Sequence, residues 1–103
     1  MAMFRCGGKE EKTQTISYTR AGLNGSAYVV IKSNSKKIKF SGTASAQSNI
    51  KVLVNEQQLY SGNVKTIPLS EKTFTNTKGT VTVRLADYNE TSQTTLVLNF
   101  ELL

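Results

Sequence analysis

The chain has 103 residues, a formal charge of +6 from 13 lysines and arginines against 7 acids, one cysteine, and no histidine or tryptophan. That length is one domain, and its core hides only about two-thirds of the surface the unfolded chain exposes. A lone Cys6 excludes an internal disulfide and leaves zinc and iron-sulfur sites without a plausible ligand set, and without histidine no Ser/His/Asp or Cys/His catalytic arrangement can be assembled.

Residues 1 to 11, MAMFRCGGKEE, carry glycines and charges without alternation and read as a flexible N-terminal tail that holds Cys6. Residues 12 to 103 read as one domain. No apolar run is long enough for an export signal or a bilayer span, so a cytoplasmic product with no membrane partner is expected.

Period two, the signature of a strand, then recurs along the chain. From Lys12 to Thr19, Gln14, Ile16 and Tyr18 alternate with Thr13, Thr15 and Ser17; from Ala27 to Lys32, Val29 and Ile31 oppose Tyr28, Val30 and Lys32. Lys37 to Gly42 sets Ile38 and Phe40 against Lys37, Lys39 and Ser41, and Ile50 to Val54 continues with Ile50, Val52 and Val54. A turn is predicted at Asn55 to Gln57, a short return strand through Leu59 and Tyr60, and a second turn at Ser61-Gly62. Val64 to Leu69 holds Pro68, which cannot donate to a ladder and marks a sheet edge or strand end. Phe74 is a core candidate on a short segment. Gly79 opens Thr80 to Ala86, with Val81, Val83 and Leu85 inward, and the last strand puts Leu96, Leu98, Phe100 and Leu102 on one face and Val97 and Leu103 on the other. Such two-sided apolar character suits a central strand or one covered by another subunit. About eight short strands with regular turn signals predict an all-β, antiparallel, jelly-roll-like sandwich.

Candidate sites are few. If VIKSNSKKIKF is a hairpin turning at Ser33 to Lys36, then Lys32, Lys37 and Lys39 share an outer face, where like charges across a ladder repel. An anionic partner would relieve that repulsion, although lysines on exposed strands also deter edge pairing. Tyr28, Tyr60 and Tyr88 are the aromatics expected to lie outward, with Tyr60 and Tyr88 the candidates for a ligand platform. Asp87, Asn89 and Glu90 in ADYNET could gather oxygens for calcium, against the simpler reading of a solvated loop. No cofactor is expected, and with so few proton-handling groups an enzyme is not expected either.

The succession NIKVLVNEQQLYSG, KGTVTVRL and TTLVLNFELL resembles the second half of jelly-roll carbohydrate-binding modules over Ser48 to Leu103. The opening MAMFRCGG is similar to small proteins encoded among phage and prophage structural genes of Gram-positive bacteria. The second likeness implies a virion-associated β-sandwich of a tail, baseplate or head. The leading expectation is therefore a non-enzymatic assembly protein that binds copies of itself or other virion proteins, with Val97, Leu102 and Leu103 as the interface. The alternatives are a module for a bacterial surface glycan and a weak polyanion binder using Lys32, Lys37 and Lys39, nucleic acid ranking last among partners.

Overall fold

The computed structural model describes residues 13–20, 24–88 and 93–103. Cys6, the tail, Asn89 and Glu90 lie outside them.

Six strands form one antiparallel system among the described residues: β1 (Thr13–Arg20), β2 (Asn24–Lys32), β3 (Lys37–Val54), β4 (Gln57–Thr73), β5 (Thr80–Tyr88) and β6 (Thr94–Leu102). Their order is β1-β6-β3-β5-β2, with β4 on the remaining edge of β3. β3 is the spine. Its beginning, Ile38 to Ala44, pairs with Leu102 to Leu96 of β6, and its end, Asn49 to Val54, pairs with Tyr88 to Val83 of β5. Even-numbered residues of β3 are the more buried throughout, from Ile38 and Phe40 to Ile50, Val52 and Val54. Side chains alternate faces at every residue, so an unbroken parity means both halves of β3 look into the same interior. The sheet therefore curls about one core.

β5 and β6 supply the opposite walls of that core with Val81, Val83 and Leu85, and with Leu96, Leu98, Phe100 and Leu102, all nearly or fully buried. Ile16, Ile31, Ile67 and Phe74 complete it from β1, β2, β4 and the β4–β5 connection. Each fully buried aliphatic or aromatic side chain contributes about 1.5–3 kcal/mol relative to exposure. β4 is mostly exposed and buries only Ile67 fully, which suits Pro68 at a sheet edge.

Six strands replace the eight expected because four short segments fuse into two long ones. The polar stretch between Gly42 and Ile50 has no breaker, and its inward positions are the small Ala44 and Ser48, so the chain bends there without stopping. Irregular register between Thr43 and Ser48 marks the bend. Ser61-Gly62, expected as a turn, is strand paired with Lys51 and Ile50. Gly62 sits there because the Tyr60 ring lies over it: a Cβ would come 2.6 Å from Tyr60 Oη.

The hairpin expected around Ser33 to Lys36 does not form. β2 pairs with β5 while β3 pairs with β4, β5 and β6, so the segment between β2 and β3 is a crossover between different parts of the sheet. The true β3–β4 turn is the two-residue Asn55-Glu56, with φ of 51° and 66°. Positive φ at both positions defines the turn type whose twist matches paired antiparallel strands.

Asn76 ties the crossover to the β4–β5 connection. Its Nδ2 donates to the carbonyls of Ser33 and Ser35 at 2.8 and 2.9 Å, and its Oδ1 accepts from the amides of Lys78 and Gly79 at 3.3 and 3.2 Å. Gly79, at φ 74°, follows directly in the left-handed region that favours glycine.

Candidate functional site

The outward row of β5 is Thr80, Thr82, Arg84, Ala86 and Tyr88, each more exposed than the core residue between it and the next. β2 flanks this row with Tyr28 and Val30, which are 64% and 56% exposed, and β3 flanks it with Asn49, Lys51 and Leu53. Tyr28 and Val30 thus leave apolar surface beside this polar row.

Ala86 is the short side chain of the row, in register with Lys51 on one side and Ser26 on the other. The surface sinks there into a groove of about 500 Å³. Tyr88 of β5 lines it together with Asn49 and Lys51 of β3 and Ser61 of β4. The Asn49 amide is oriented by a chain of hydrogen bonds: Gln47 Nε2 donates to Asn63 Oδ1 at 2.5 Å, and Asn63 Nδ2 donates to Asn49 Oδ1 at 2.9 Å. With its oxygen so engaged, Asn49 presents Nδ2 as a donor. Asp87 lies beneath the groove, 5% exposed, and accepts a 2.8 Å hydrogen bond from the Tyr18 hydroxyl.

A second hollow of about 430 Å³ opens at the other end of the same row, beside Thr80 and Thr82. The β3–β4 turn and the β4–β5 connection border it with Glu56, Thr75, Thr77 and Lys78. Asn55 holds the turn in place, its amide N–H donating to Thr82 O and its Oδ1 accepting from the Thr82 amide, both at 2.9 Å. Between the hollows Arg84 Nη2 meets Glu56 Oε2 at 3.1 Å.

Of the residues singled out in the sequence, Tyr88 falls in the groove and is 42% exposed. Tyr60 does not lie outward: it is half-buried and meets Phe40 edge-on, with ring centroids 6.5 Å apart and planes at 72°. Lys32, Lys37 and Lys39 do not converge. Lys32 is opposite Thr80 at the end of β2, Lys37 is 3.3 Å from Glu71, and Lys39 stands in register between Glu71 and Glu101. Lys37 and Lys39 thus stand beside acids of β4 and β6. Leu102 is 1% exposed in the chain's own core and is not surface for a partner. Val97 is half-buried on the outer face of β6, a strand central between β1 and β3, and Leu103 is 43% exposed with its amide donating to Lys37 O. The calcium reading loses Asp87, whose carboxylate is turned inward; among the described residues no cluster of acids or cysteines could hold a metal ion.

Asn49, Lys51, Ser61 and Ala86 went unrecognised in the sequence. The first two were legible as the odd positions of a strand whose even positions are Ile50, Val52 and Val54. Ser61 and Ala86 reach the groove only through pairing across β3.

No family model and no curated protein matches the chain. Among solved structures, the fold is similar to the Yersinia pseudotuberculosis-derived mitogen, with a TM-score of 0.60 and 9% identity over 88% of this chain and 86% of that one. It is similar to the carbohydrate-binding module TmCBM61, solved in complex with beta-1,4-galactotriose, with a TM-score of 0.55 and 9% identity over 94% and 85% of the two chains. It is also similar to part of a family two carbohydrate esterase from Clostridium thermocellum in complex with cellohexaose, at TM-score 0.55 and 12% identity, covering 82% of this chain and 26% of that one. At these identities the likeness is one of fold. It places the chain among β-rich domains that include a jelly-roll carbohydrate-binding module. The phage resemblance of MAMFRCGG finds no support in these comparisons, and those residues lie outside the described ones.

Proposed function

We propose that this chain is a non-catalytic carbohydrate-binding domain that seats a glycan in the Tyr88 groove. The long, bent β3–β4 hairpin divides between β6 and β1 on one side and β5 and β2 on the other, which supports a jelly-roll-like sandwich of two layers. The observation that carries the function is the groove itself: an exposed aromatic ring together with amide, ammonium and hydroxyl groups, and a small side chain at its floor.

A sugar ring has apolar C–H faces and an edge of hydroxyls, each both donor and acceptor. An aromatic face accommodates the first, and Asn49 Nδ2, Lys51 Nζ and Ser61 Oγ answer the second. Binding sites for small ligands combine those two ingredients in a concave, largely preformed surface. The hydrogen bonds through Gln47 and Asn63 preorganise Asn49, so less side-chain freedom is lost on binding. The glycans with which two of the structural neighbours were solved add weight to this reading over assembly into a virion.

A glycan array tests the proposal. The wild-type chain is expected to retain a defined subset of glycans, and Tyr88→Ala and Asn49→Ala each to lose at least tenfold in affinity for that subset. Silence across the array, or retention unchanged by both substitutions, would overturn it.

A further inference from the structure

We infer that the glycan is an extended anionic chain, one whose sugars carry carboxylates, lying along the outward row of β5 and filling both hollows. This rests on the glycan reading of the Tyr88 groove and adds the ligand's length and charge.

Length comes from the row. Thr80 and Thr82 border one hollow and Ala86 and Tyr88 the other, and all four share one face of one strand. Ala86 lies six positions beyond Thr80, which at the rise of an extended strand is about 20 Å. A single sugar fills one hollow; only a linked chain reaches both. Between them Arg84 reaches Glu56 of the turn, and Tyr28, in register with Arg84 and 64% exposed, offers an apolar surface alongside.

Charge comes from which groups along the path are already neutralised. Lys51 stands at one hollow and Lys78 at the other, and Lys32 is in register with Thr80 at that same end. Against these cations, Glu56 is engaged by Arg84 and the Asp87 carboxylate is buried against the Tyr18 hydroxyl. Lys37, by contrast, pairs with Glu71, and Lys39 stands in register between Glu71 and Glu101. Among the described residues Lys32, Lys51 and Lys78 make no ion pair. Cations at both ends of a neutral middle fit a ligand with repeated negative charge better than one with a single charge.

The test uses hexamers and dimers of galacturonic, glucuronic and mannuronic acid, with the methyl ester of each hexamer as its uncharged counterpart. Binding is measured by calorimetry at low and at physiological salt. At least one uronate hexamer is expected to bind tenfold or more tighter than both its dimer and its methyl ester. Its affinity should fall with salt, and Lys51→Gln and Lys78→Gln should each weaken it three- to tenfold with unchanged melting temperature. Methyl esters that bind as well as the free acids would overturn the charge, and dimers that bind as well as hexamers would overturn the length. Either result leaves the glycan reading standing, since that reading falls on silence across the glycan array or on retention unchanged by both Tyr88→Ala and Asn49→Ala. Binding of a single-stranded oligonucleotide as tightly as the best uronate would also overturn the inference.

Discussion

The Tyr18 hydroxyl donates a 2.8 Å hydrogen bond to the Asp87 carboxylate, joining β1 at one end of the sheet order to β5 near the other. β1 and β2 close on each other without sharing a ladder, so this side-chain bond does work that backbone pairing does elsewhere in the molecule.

Tyr18→Phe keeps the ring and removes that bond. Loss of one partner from a buried polar group costs about 1–3 kcal/mol. A domain of this size loses roughly 4–8 °C of melting temperature per kcal/mol, so the drop is readily seen by thermal unfolding. An unchanged melting temperature would show that the closure depends on packing alone.

Glu56 occupies the second position of the β3–β4 turn at φ 66°, a conformation that costs a side-chain-bearing residue about 1–2 kcal/mol. Its ion pair with Arg84 is exposed, 41% and 69% for the two side chains, and such pairs contribute about 0–1 kcal/mol. Glu56→Gly is expected to match or exceed the wild type in stability, while Glu56→Ala, which loses the pair and keeps the strain, falls below it by about 0.5–1 kcal/mol. Urea titrations of the two variants side by side decide this; equal midpoints would mean the turn is unstrained.

Gly42 is packed where β3 meets β6: a Cβ there would come 2.5 Å from Val97 O and 3.1 Å from Ile67 Cδ1. Gly42→Ala should cost about 1–3 kcal/mol as an overpacked core position. Adding Ile67→Val should not restore it, because the nearer atom is backbone. Full rescue in a chemical denaturation series would show that the side chain, not the ladder, sets the limit.

Asn76 uses two donors and two acceptors at once. Asn76→Asp places a carboxylate against the carbonyls of Ser33 and Ser35 and should destabilise more than Asn76→Ala, itself costing about 2–3 kcal/mol. Amide exchange at Lys78 and Gly79 is expected to accelerate in both variants. Protection that persists in both would move the clamp elsewhere.

Tyr60→Ala and Tyr88→Ala separate a packing aromatic from a surface one. Removing Tyr60 strips half-buried contact from Phe40 and should cost about 1–3 kcal/mol, with glycan affinity little changed in the folded fraction. Removing Tyr88 should do the reverse. Melting curves paired with binding titrations distinguish the two, and loss of binding in Tyr60→Ala at full stability would relocate the site.

The all-β class was legible because alternation is a local property: Val81, Val83 and Leu85, or Leu96, Leu98 and Phe100, declare a buried face within one strand. Pro68 declared its edge the same way, and of the two readings of the two-sided last strand, central or covered by another subunit, the structure shows the first, between β1 and β3. The expected hairpin at Ser33 to Lys36 was not legible correctly because adjacency in sequence suggested a turn where the chain crosses over.

Side-chain periodicity along each strand, encoded residue by residue, determined the class of fold and most of the core. Strand order, the fusion of four segments into two long strands, and the meeting of Lys51, Ser61, Ala86 and Tyr88 at one groove were decided by tertiary structure alone. The physical reason is that alternation says which way a side chain faces but carries no information about which strand will lie beside it. That depends on closing one shared interior, where the small inward residues Ala44 and Ser48 let β3 bend and serve two neighbours.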